Sequence, residues 1–230
     1  MEMNCDQCGE KYNKIWNDDL PHYGQPDLCN NCRKETWFDL AEIGVPKKYS
    51  EVTFKDFITE SDRLRSNGFT QDELKDIRKV KEIIQDRILD VSDGKSLRLV
   101  FYGKPGTGKT LLASASINEI MMNGQTAAFI SANDLLYECM DIDKFLNKIE
   151  ELSGKTLLVI DDFTNVPNTD FTKRVMHGVI DGTYSNMNSL IITTNLTTDP
   201  FKSLLSPGSL DRMNEGRGGG IFFSWSSFRR

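Results

Sequence analysis

The chain has 230 residues, 27% of them charged and 38% hydrophobic, with a formal net charge of −6. That length accommodates one good-sized domain plus a small appendage, and the apolar fraction is enough for a core, which excludes wholesale disorder. No apolar run approaches the ~18–20 residues of a membrane span and residues 1–5 lack the start of a secretory signal, so the expectation is a cytoplasmic protein with no membrane partner.

The acidic balance and the scattered 28 Lys and Arg residues also exclude a protein that coats nucleic acid by bulk charge. Four of the five cysteines fall within the first 32 residues. Cys5 and Cys8 form one C-x2-C pair, Cys29 and Cys32 a second, with 20 residues between them. Each pair fits a tight turn that aims two thiolates at one point, so the four predict a closed tetrahedral site for one structural Zn²⁺. A module over residues 1–35 is too small for much of a core, and metal binding would supply most of its folding free energy. Having no open coordination position, it would hold a partner rather than catalyse. The odd cysteine, Cys139, lies in an apolar helical stretch and reads as a core residue.

Residues 33–45 fit a short amphipathic helix, broken by Pro46, and residues 49–57 read as an extended, aromatic-rich stretch. The linker as a whole spans 36–69, closed by the Asn67-Gly68 turn, and the main domain spans 70–230. A helix begins at Thr70, with Glu73 three residues on as a capping box, and Leu74, Ile77, Val80, Ile84 and Ile88 at helical spacing. It ends near Ser92-Asp93-Gly94. Short apolar runs then alternate with amphipathic segments: 97–102, 127–131, 157–160, 190–194 and 221–225. Such runs predict a parallel sheet covered on both faces, an α/β architecture.

Between the first run and the helix 111–122 lies Gly103-Lys104-Pro105-Gly106-Thr107-Gly108-Lys109-Thr110, a full G-x-x-x-x-G-K-[ST] match in the required strand–loop–helix setting. The glycines let backbone N–H groups curl round a phosphate, and the helix N-terminus adds its dipole. Those eight residues with Leu111 are the expected ATP-binding residues. Lys109 would reach the β- and γ-phosphates and the Thr110 hydroxyl would bind Mg²⁺. The apolar run 157–160 delivers Asp161 and Asp162 at its C-terminal end. Asp161 would hold Mg²⁺ through water, and Asp162 would orient or deprotonate the attacking water. Aspartate is one methylene shorter than the glutamate common at that second place, so slow hydrolysis is expected. Asn195, ending the next strand, would fix the same water from the other side.

These motifs, with Ile43-Gly44-Val45-Pro46-Lys47-Lys48-Tyr49, Thr53-Phe54-Lys55-Asp56-Phe57, Ser209-Leu210-Asp211-Arg212-Met213 and Phe222-Phe223-Ser224-Trp225-Ser226-Ser227-Phe228-Arg229, resemble the AAA+ ATPases of the DnaC/IstB group over residues 43–230. The resemblance implies a phosphate-loop AAA+ domain with a five-stranded parallel sheet flanked by helices and without a large helical lid. It also implies that residues 49–57 lie near the adenine, and that Arg212, with Arg217 as rival, acts as an arginine finger on a neighbouring subunit's ATP. Such a site is completed by self-assembly into an open ring or spiral. The implied function is an ATP-dependent helicase loader, gripping a hexameric replicative helicase through its N-terminal segment and depositing it on single-stranded DNA. Two alternatives are an IstB-like transposition helper that assembles on duplex DNA and recruits a transposase, and a zinc-anchored nucleotide-binding adaptor with little hydrolysis. Within 133–150, Lys144, Phe145 and Lys148 offer either a DNA contact or a core ring with two solvated lysines.

Overall fold

The computed structural model describes residues 2–4, 11–13, 43–57, 68–216 and 218–229. The four cysteines Cys5, Cys8, Cys29 and Cys32, most of the predicted helix over 33–45, and Arg217 lie outside them. Two short strands, β1 (Glu2–Asn4) and β2 (Lys11–Asn13), pair antiparallel.

The apolar runs form the sheet: β3 (Arg98–Gly103), β4 (Ala127–Ser131), β5 (Leu157–Asp161), β6 (Ser189–Thr194) and β7 (Gly219–Phe223). All are parallel, in the order β4-β5-β6-β3-β7. Alternate residues serve two cores, because successive side chains on a strand point to opposite faces. Leu99, Phe101, Leu157, Val159 and Ile191 pack with helices α1 (Gln71–Ser92) and α2 (Lys109–Met122). Val100, Tyr102, Leu158, Ile160, Leu190 and Ile192 pack with α3 (Ala132–Glu138), α4 (Ile142–Ser153) and α5 (Asp170–Ser185). Each of these side chains gains about 1.5–3 kcal/mol from burial, and coverage on both faces keeps the middle of each strand apolar, with the buried polar residues Arg98, Ser189, Thr193 and Thr194 at strand ends. Two short helices, α6 (Thr198–Ser203) and α7 (Pro207–Asn214), precede β7.

Helix α1 starts at the predicted capping box. Glu73 N–H donates to Thr70 Oγ1 at 3.2 Å, and Thr70 N–H donates back to the Glu73 carboxylate at 2.9 Å. The stretch 49–57 is folded into turns instead of extended. A 3₁₀ turn covers Lys47–Tyr49, and the Asp56 carboxylate closes a second turn by accepting from Thr53 N–H and Oγ1 at 2.8 and 2.7 Å. The turns allow Val45, Phe54 and Phe57 to reach the α1–α2 core, where all three are buried. Cys139 is buried as expected.

Candidate functional site

Register brings the predicted residues together. Ile160 is paired with Ile192 and Tyr102 with Thr194, so Asp161, Thr193, Asn195 and Gly103 emerge side by side at the C-terminal edge of the sheet. Because β6 lies between β3 and β5, its end bridges the phosphate loop and the acidic pair. Ligands of open α/β sheets bind at this edge.

The loop leads straight into α2, whose N-cap is Gly108 at φ 93°. Lys109 Nζ donates to Gly103 O at 2.8 Å, Lys104 O at 2.9 Å and Asn195 Oδ1 at 2.8 Å. Burial lowers its pKa to about 8, against the pull of Asp161 and Asp162 in the opposite direction, and the Arg229 charge lowers it further. Thr110 Oγ1 donates to Asp161, 3.0 and 3.1 Å from its two oxygens. Thr193 Oγ1 also donates to Asp161, at 2.6 Å, while accepting from Asp162 N–H at 2.9 Å. Burial pushes the Asp161 carboxyl upward, opposed by these hydroxyls, while the neighbouring Asp162 pushes it the same way.

A hydroxyl and a half-buried carboxylate at this spacing are a hard-oxygen set suited to Mg²⁺, and a cation would offset the burial cost that raises Asp161. Asp162 adopts φ 55°, a left-handed conformation that aspartate tolerates. Its exposed carboxylate receives Asn195 Nδ2 at 3.4 Å.

A cavity of about 510 Å³ joins these groups, within the ~300–1,000 Å³ of small-molecule sites. Lys109, Thr110, Leu111, Asp161, Asp162, Thr193 and Asn195 line it, with Pro46, Lys48 and Tyr49 from the folded linker and Phe228 and Arg229 from the chain's end. Tyr49 belongs to the stretch expected near the adenine, whereas Thr193 and Arg229 carry no role read from their positions in sequence. The signal for Arg229 was present in the aromatic density of residues 222–228, too apolar for a solvated tail.

Arg212 is elsewhere. On α7 it pairs with Asp181 of α5 at 2.9 Å, and its guanidinium lies 5.6 Å from the Tyr184 ring centroid. It does not line the cavity. A larger hollow of about 660 Å³ between α3 and α4 carries little chemistry. Lys148 there is paired with Glu138 and Glu151, Lys144 with Asp141, and Phe145 packs half-buried against the core. That favours the reading of Phe145 as core and the lysines as neutralised surface groups.

A phosphate loop opening a parallel sheet, one strand removed from an acidic strand end, defines a phosphate-loop nucleotide-binding α/β domain of AAA+ type. The chain belongs to the family of IstB-like ATP-binding proteins, whose model matches residues 51–212. It is 30% identical over 142 residues to the replicative helicase loader DnaC of Escherichia coli strain K12, covering 60% of this chain and 58% of that protein. A DnaC of Buchnera aphidicola (subsp. Acyrthosiphon pisum) is 27% identical over 83% of this chain and 74% of its own length. The chain therefore spans less than two thirds of the first of these relatives. The fold is also that of a DnaC helicase loader crystal structure (TM-score 0.58, 21% identity, 79% of this chain and 100% of that one). It is shared with AMPPCP-bound DnaA from Aquifex aeolicus (TM-score 0.57, 20% identity, 78% and 51%). Among the described residues, no helix is long and apolar enough to cross a membrane.

Proposed function

We propose that the chain is an ATP-dependent loader of a replicative helicase. The observation that carries this reading is the Lys109–Asn195–Asp161–Thr110 constellation, in a chain similar to DnaC loaders along most of its described length. ATP binds with its phosphates in the loop 103–110 and Lys109 on the β- and γ-phosphates. Thr110 and Asp161 hold Mg²⁺, which supplies charge neutralisation to the phosphates. Asp162 orients or deprotonates the attacking water, and Asn195 fixes that water from the other side. Arg212 serves the ATP of the next subunit, so hydrolysis requires an assembled ring or spiral. The module 1–35, with one Zn²⁺ on Cys5, Cys8, Cys29 and Cys32, docks the helicase, and single-stranded DNA is the destination.

Capture from host extract with the full chain and ATP tests the reading. Recovery of a hexameric helicase, lost on Cys5→Ser/Cys8→Ser substitution together with about one zinc per chain, supports it. Recovery of a transposase instead makes the chain a transposition helper, and binding of ATP without turnover makes it an adaptor.

A further inference from the structure

Beyond β7 the chain turns back over the outside of the phosphate loop. Trp225 Nε1 donates to Thr107 O at 3.0 Å, and Phe228 N–H donates to Gly106 O at 2.8 Å. The Phe228 ring meets Phe57 edge-on at 5.9 Å and lies 5.3 Å from Phe69. The fit is close. A Cβ on Gly106 would overlap Ser227 Oγ and come within 3.3 Å of Arg229 Cγ, and one on Gly108 would overlap the Phe57 ring and reach within 3.1 Å of Phe228. Residues 225–229 therefore form a strap against the loop, and Arg229 at its end lines the nucleotide cavity.

The strap is tied down by a residue far from the cavity in sequence. Glu73 Oε1 accepts from Ser226 N–H at 2.8 Å and from Ser226 Oγ at 2.7 Å. Its other oxygen, Oε2, accepts from Thr70 N–H at 2.9 Å and Thr70 Oγ1 at 3.2 Å. One carboxylate thus closes the cap of α1 and latches the strap, using an oxygen for each. Hydrogen bonds to an ionised carboxylate are roughly twice as strong as neutral ones.

We propose that Glu73 is a positioning residue for phosphate binding: by latching Ser226 it fixes the strap on the loop and sets Arg229 at the triphosphate. This rests on the ATP-binding reading above. Without the latch, Arg229 hangs on a segment held to the loop by the Trp225 and Phe228 hydrogen bonds and by ring packing. Its cation then spends less time in the cavity. Glu73 touches no nucleotide, so it acts through Arg229.

The test uses the full chain, with ATP affinity by calorimetry and the thermal midpoint measured on each variant. Thr70→Ala removes the Thr70 Oγ1 contacts of the cap but leaves the latch, whereas Glu73→Ala removes the carboxylate's bonds to both Thr70 and Ser226. Glu73→Gln keeps a capping box, which accepts glutamine, but weakens the bonds to Ser226. Both alanine variants should lower the thermal midpoint. Only Glu73→Ala should weaken ATP binding, by about tenfold, the scale of one charge-assisted hydrogen bond, with Glu73→Gln between it and the parent. Placed in an Arg229→Ala background, Glu73→Ala should weaken ATP binding no further. Equal ATP affinities in Thr70→Ala and Glu73→Ala, or additive losses with Arg229→Ala, overturn the proposal. Failure of the parent to bind ATP, or retention of binding in Lys109→Ala, overturns the ATP-binding reading itself. That outcome is distinct from a parent that binds ATP and is indifferent to Glu73.

Discussion

Lys109 is held among three oxygen acceptors and still loses its proton at about 8 instead of its ordinary 10.5, because burial costs its charged form more than the nearby carboxylates return. A bound triphosphate adds negative charge at that ammonium and restores it. Binding should therefore take up a proton at pH above about 8, and affinity should decline as pH rises from there towards 10.5, while staying flat below. Calorimetry at about pH 8.5 in two buffers of different ionisation enthalpy measures this directly. Heats that do not depend on buffer would mean that Lys109 is charged in the empty site. Glu73 has the opposite sign. Thr70 and Ser226 hold its carboxyl at about 2, against 4.5 for a free one, so its contribution to stability is complete above about 4.5 and is lost as pH falls towards 2. Urea midpoints of the parent and Glu73→Gln should differ near neutrality and converge in acid.

Among the elements, β3 to β6 were legible because the middle of a strand covered on both faces must be apolar, and Thr70 with Glu73 announced α1 by local chemistry alone. The phosphate loop, Asp161 and Asn195 were legible for a related reason: each sits at the end of such a strand, so finding the strand places the residue. What stayed hidden depends on distant contacts. β7 begins at Gly219, two residues before the predicted run, because Gly219 and Gly220 pair with Leu99 and Val100. Trp225, assigned to that strand, instead turns inward to the Thr107 carbonyl 118 residues away. The linker aromatics were hidden likewise, since nothing local to Phe57 says that its ring fills the space above Gly108. Phe57, fully buried against Trp225 and Phe228, should cost about 3–5 kcal/mol when truncated to alanine. Denaturant unfolding checks this, and a loss below about 1 kcal/mol would show that the linker is not part of the core.

At the scale of the assembled protein, the separation of Arg212 from its own cavity sets a testable division of labour. Its pair with Asp181 is partly exposed, with side chains 30% and 43% accessible. Pairs of that kind are worth about 0–1 kcal/mol, and the Tyr184 contact adds about 0.5–1. An arginine finger stabilises the transferring phosphoryl group by a factor of about 10³–10⁵ in rate, or roughly 4–7 kcal/mol. The cost of releasing Arg212 is therefore smaller than the stabilisation a finger would give the transition state on a neighbour's ATP. Arg212→Ala should bind ATP normally and lose turnover by about 10³, whereas Lys109→Ala should bind none yet keep a working arginine. Mixing the two inactive variants should restore hydrolysis wherever an Arg212→Ala pocket faces a Lys109→Ala subunit, about a quarter of interfaces in a random one-to-one head-to-tail assembly. A steady-state phosphate-release assay reads the recovery against each variant alone. A mixture as inactive as its components would show that Arg212 does not act on a neighbour's ATP, and full activity of Arg212→Ala by itself would place the finger on another residue.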